Sequence, residues 1–176
     1  MERRQFVKAS VLAGMGLFGG ASVWLSIGPD KESLTITAVL GKLETLTDRA
    51  ILHSGRWDPA KVFIHCAQSI EYSMTGYPVH KSDVFKNTVG SLAFSTFALK
   101  GAMAHGLDQP IPGAPTINSD QDLPQALATL KKSLIDFQQY SGDLEPHFAY
   151  GVLTKPEYEA AHVMHIYNHF DEFKMA

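Results

Sequence analysis

Eight histidines stand in this chain of 176 residues. Three of them, His162, His165 and His169, fall at offsets of three and four within EYEAAHVMHIYNHFDEF. On an α-helix, residues four apart differ by about 40° in direction and one turn in height, so the rings of His165 and His169 can meet at one point. Imidazole is the commonest protein metal ligand, and two at that spacing make half of a zinc site. The natural third donor is His65, in the middle of WDPAKVFIHCAQSIEYSMTG. Three imidazoles leave one position open for water, whose pKa zinc lowers to about 7, giving a nucleophile at neutral pH. Such a site could also polarise a carbonyl or bind a thiolate. Zinc suits three imidazoles, and nickel accepts them too. Each piece alone has a blander reading: a wet helix face for the H-x3-H pair, a hydrogen-bonded core histidine for His65. The joint occurrence argues for a metal.

The neighbouring residues have two readings each. His162, one turn before His165, is a general acid or base beside the metal, or a solvated histidine at the rim. His147, ahead of Phe148-Ala149-Tyr150-Gly151, reaches over the pocket or is a structural loop residue. Glu71 and Glu172 could orient ligand imidazoles through their free N–H groups, or lie on wet faces. Cys66 points about 100° away from His65 and reads as a buried, inert thiol. Phe94, Phe97 and Met103 read as core or pocket wall. His53, His80 and His105 carry no assignment.

The elements that must position these groups are helical. Apolar residues at Ile36, Leu40, Leu43 and Leu46 predict a helix over 33–53. Asp58-Pro59, an N-cap followed by proline at the first turn, opens a helix over 58–75 that Gly76 ends. Val84 to Met103 reads as a further helix broken at Gly90 and Gly101. Pro110, Pro112, Gly113 and Pro115 mark a loop. Leu127, Leu130, Leu134 and Phe137 share one face of a helix over 122–140. Thr154 and Glu157 form a capping box at the start of a helix over 155–173. No strand-period alternation and no internal repeat is visible. The reading is an all-α four-helix bundle with an extra helix in a long crossover, residues 76–121.

The N-terminus reads as an address. Arg3-Arg4, Phe6 and Lys8 precede a chargeless stretch from Ala9 to Pro29, the layout of a twin-arginine export signal or of a single membrane anchor. The expected division is therefore 1–28 as signal or anchor and 29–176 as the folded domain, exported to the periplasm or tethered to the periplasmic face of the inner membrane. Composition supports one folded domain: 45% apolar, 19% charged, formal net charge −3. Without residues 1–28 the balance is −5 and all eight histidines remain. That argues against a nucleic-acid binder, which usually shows a basic patch or stripe. The single cysteine excludes an internal disulfide and any cysteine-rich zinc module. The expected partner is a small-molecule substrate of unknown identity, with a homodimer as the assembly.

A mid-helix histidine early and an H-x3-H pair on the last helix together resemble the DinB-like (YfiT-like) superfamily of metalloenzymes. HCAQSIEYSMTGYP, AHGLDQPIPGAP and PHFAYGVLTKPEYEAAHVMHIYNHFDEF resemble a subfamily of unknown function within it. The resemblance covers residues 33–173 and implies a DinB/YfiT-like bundle with His65, His165 and His169 on a divalent metal. Asn168 departs from it, standing where such relatives often carry another histidine. The resemblance implies thiol transfer at the metal, and hydrolysis is chemically as plausible. The competing reading is a non-catalytic periplasmic metal- or ligand-binding helical module.

Overall fold

The computed structural model describes residues 34–46, 51–118 and 121–175. The expected signal or anchor at 1–28 lies outside these residues. The described chain is mostly helical, with one small two-stranded sheet.

Helix α1 spans Ile36–Glu44. The Thr35 hydroxyl accepts from the Ala38 amide, and the Glu159 carboxylate accepts from the Ile36 amide at 3.0 Å, so two of the helix's free N–H groups find partners. The helix expected over 33–53 stops short, and Ile51–His53 forms strand β1 instead. The strand's partner, β2 (Phe173–Met175), lies where the last helix was expected to continue. Their antiparallel register pairs Ile51 with Met175 and His53 with Phe173. Three-residue strands are too short to show alternation, and tertiary pairing overrides the local helical period.

The capped helices start where their sequences place them. In α2, Pro59–Thr75, the Asp58 side chain accepts from the Lys61 amide, and Gly76 at φ +98° stops the helix. In α5, Leu123–Gln139, Asp122 does the same for Gln125. In α6, Lys155–Phe170, the Glu157 carboxylate accepts from the Thr154 amide at 2.8 Å and completes the box. The region expected to break at Gly90 runs on. Short α3 (Asp83–Phe85) passes through a π turn (Lys86–Gly90) into α4 (Ser91–Lys100). Gly90 serves a close approach there, since an added Cβ would run into the Ala149 carbonyl. Gly101, at φ +66°, then ends α4.

Helix α5 lies along α2, α6 packs on α2, α1 packs on both α5 and α6, and α4 leans on α6. Ile36, Phe63, Leu130, Leu134, Val163 and Ile166 meet in the core with at most 1% exposure. Each such side chain contributes about 1.5–3 kcal/mol of burial. The sheet has a positioning role. The Ser54 amide donates to the Glu172 carbonyl at 3.0 Å, and the Phe173 ring lies 5.9 Å from that of Phe63. This ties the end of α6 to the start of α2. Among the described residues, no helix is long and apolar enough to cross a membrane.

Candidate metal centre

Because α6 packs on α2, His65 meets His165 and His169. The ring centroids stand 5.0 Å apart for His65 and His165, 5.3 Å for His65 and His169, and 5.0 Å for His165 and His169. A fourth ring enters from the loop after α4. His105 lies 4.8 Å from His165 and 5.3 Å from His169. One nitrogen from each of the four lies within 4.8 Å of all the others. His105 had no sequence signal, because a loop has no period to place it on a face. The proline-rich loop that carries it was the only hint.

Asn168 fixes the fourth ring. Its Oδ1 accepts from the His105 backbone N–H at 3.2 Å and faces His105 Nδ1 at 2.7 Å. The backbone amide can only donate, so the oxygen is on that side, and Nδ1 must donate to it as well. The Nε2 lone pair of His105 is left for the cluster.

The hydrogen-bond accounting at this cluster does not close with protein groups. Among the described residues, His65 Nδ1 and both ring nitrogens of His169 are buried without a partner. Each unpaired buried polar group costs about 1–3 kcal/mol. His65 Nε2 and His165 Nε2 face each other at 3.2 Å. Two nitrogens on one tetrahedral zinc, with Zn–N of about 2.0–2.1 Å, stand about 3.3 Å apart. The donor set therefore fits a divalent ion. Burial holds all four rings neutral, the form a metal requires. It lowers His65 to about 4 and His169 to about 3, with the neighbouring imidazoles adding to the shift. His165 lies well below the usual value for the same reasons. Burial lowers His105 too, opposed by its bond to Asn168. Trp57 forms a wall, parallel to His169 at 6.4 Å and edge-on to His65 at 5.1 Å, with the Lys61 ammonium 4.9 Å from its ring centre.

Beside the cluster is a cavity of about 220 Å³, whose lining includes His65, His105, His165, His147 and His162. His147 is locked by its own turn. Its Nδ1 accepts from the Ala149 and Tyr150 amides at 3.1 Å each, and its backbone pairs with Gly151, which takes φ +81°. In the neutral ring, Nε2 therefore carries the proton. His162 has the opposite constraint. The Ser73 hydroxyl donates to the Ile70 carbonyl at 2.6 Å, so at 3.2 Å it accepts from His162 Nε2–H. Nδ1 of His162 is then the lone-pair nitrogen. Burial lowers both rings to about 3, His147 with help from His162 and His80.

The remaining candidates go elsewhere. Glu71 accepts from the Ser133 hydroxyl at 2.8 Å and joins α2 to α5. The Glu172 carboxylate lies over Gly55. Neither carboxylate bonds a ring of the cluster among the described residues, and Asn168 orients a ring instead. Cys66 is 1% exposed, and burial pushes its thiol up. Phe94 and Met103 are buried, and Met103 lines the cavity.

Kinship with the DinB-like superfamily, expected from the sequence, does not hold, because the family model that matches is a different one. A mid-helix histidine and an H-x3-H pair are spacings that any helical metal centre can repeat, so they carry chemistry and not lineage. No curated protein matches the chain, and no solved structure does. The matching model, over residues 29–176, is that of a protein of unknown function (DUF1569), and the chain belongs to this family.

Proposed function

We propose that this chain is a divalent-metal-dependent enzyme acting on a small molecule, with His65, His165 and His169 holding zinc or nickel. The observation that carries this reading is the convergence of four imidazoles, each offering one nitrogen within 4.8 Å of the others, with His65 Nε2 and His165 Nε2 3.2 Å apart. An ion there would supply Lewis acidity to an oxygen of the substrate. His162 would take a proton at Nδ1, held by its bond to Ser73. His147 would donate a hydrogen bond from Nε2 to developing negative charge. Hydrolysis is the reaction class retained, since thiol transfer rested on a kinship that the family match overturns.

His105 favours a second reading. With four imidazoles a tetrahedral ion is closed, which suits a non-catalytic metal- or ligand-binding module. Elemental analysis combined with hydrolysis assays on ester, amide and phosphoester panels separates the two. A metal-loaded parent that turns over, beside a His162→Gln variant that keeps its metal and loses turnover, supports the enzyme. Stoichiometric metal with no turnover on any panel supports the module. A metal-free parent after growth in supplemented medium refutes both.

The same proposal covers the wider organisation. Helices α1, α2, α5 and α6 constitute a four-helix bundle with α3 and α4 in the crossover. Residues 29–176 form the domain, and 1–28 export it to the periplasm or tether it to the inner membrane. Two copies form a homodimer.

A further inference from the structure

An ion held only by imidazoles keeps its full charge, because neutral donors cancel none of it. The cavity beside the cluster adds to that excess. Among its lining residues the one charged side chain is Lys81, and no aspartate or glutamate is present. Lys81 makes no ion pair among the described residues. Its backbone N–H donates to the Phe148 carbonyl at 2.9 Å, which fixes this stretch of chain at the cavity. His147, 7% exposed, has its Nδ1 engaged by backbone amides and keeps Nε2–H to donate. Met103, Ile111, Phe148 and Tyr150 give the same cavity apolar walls.

We propose that the cavity binds a small organic carboxylate with an apolar body, its charge answered by the metal and Lys81 and its body against Met103, Ile111 and Phe148. This rests on the metal-dependent reading and names the substrate class of that site. The physical reason is balance. Uncompensated positive charge in a partly dry cavity attracts an anion far more strongly than in bulk water. Apolar walls reward a hydrocarbon body, which an inorganic oxyanion lacks. The fixed Nε2–H of His147 donates to an oxygen lone pair and offers nothing to a cation.

The test is calorimetric titration of the full chain, zinc-loaded and metal-free, with benzoate, benzamide, benzylamine and inorganic phosphate. Zinc-loaded protein should bind benzoate, with benzamide weaker by more than about tenfold and benzylamine silent. Removing zinc should shrink the preference for benzoate to at most the share that Lys81 supplies. Lys81→Gln should weaken benzoate by about threefold to fivefold, as expected for a charge at an exposed mouth, with zinc content unchanged, and Lys81→Arg should restore it. Equal binding of benzoate and benzamide overturns the proposal, and so does an unaltered benzoate affinity in Lys81→Gln. Phosphate binding without benzoate binding overturns the organic ligand. A chain that takes up no zinc overturns the metal-dependent reading and this one together. Zinc uptake without a charge preference overturns this one alone.

Discussion

Two groups of buried histidines stand near one another and differ in their hydrogen bonds. His65 and His169, on the cluster side, and His147 and His162, on the other, are all buried, and burial lowers all four rings to about 3 or 4. By burial and acidity they are the same. Yet His147 and His162 each have one nitrogen engaged by a backbone amide or a serine hydroxyl, whereas His65 and His169 have buried nitrogens with no partner among the described residues. The difference teaches that a ligand histidine keeps one ring nitrogen free of protein donors and turned toward other such nitrogens, because a ring nitrogen cannot both accept an amide and bind an ion.

The sharpest way to break the comparison is to remove rings from one side at a time. His65→Ala with His169→Ala should abolish stoichiometric zinc after dialysis, whereas His147→Gln with His162→Gln should leave it near one equivalent, both read by elemental analysis. Zinc should also stabilise the parent. At a hundredfold excess over Kd the gain is about 2.7 kcal/mol, or roughly 5–10 °C in Tm for a chain of this size, lost on chelation and absent in the first double variant. With His105 as a fourth ligand, as the closed-site reading requires, Asn168→Leu should weaken zinc by about tenfold or more by freeing the His105 tautomer, as seen when the residue orienting a ligand is lost. A normal affinity would leave His65, His165 and His169 as the ligands and the fourth position open.

The last effect is on the other side and concerns pH. His147 and His162 titrate near 3 when folded and near 6.5 when unfolded. The unfolded chain therefore binds more protons between those values. The contribution of these rings is intact above about pH 6.5 and is lost as pH falls toward 3, by up to about 1.4 kcal/mol per pH unit per ring. Urea unfolding of metal-free protein across that range should show this slope, and His147→Gln with His162→Gln should reduce it, leaving the share of His65, His165 and His169.

What the sequence made legible follows from how local each signal is. Asp58-Pro59, Asp122 and the Thr154–Glu157 box satisfy their own helix ends, so they announce α2, α5 and α6 without help from the rest of the chain. His65, His165 and His169 follow from helix spacing plus one packing contact. By contrast, β1 and β2 exist only because distant segments pair, and neither carries an alternation of its own. Gly90 read as a break because its reason, the Ala149 carbonyl, lies far along the chain. His105 was invisible because a loop is placed by tertiary bonds, here to Asn168. That asparagine, read from the sequence only as a departure, proves to be the group that aims a ring.

Trp57 has an optical consequence. Its indole lies flat beside His169 and edge-on to His65, so its emission should respond to whatever those rings hold. Zinc, with a filled d shell, leaves the excited state without a new route to decay. Nickel or copper, with open shells, supplies one, and the glow should dim in proportion to loading. The molecule thus carries its own gauge for telling one ion from another, read with a lamp and no added dye.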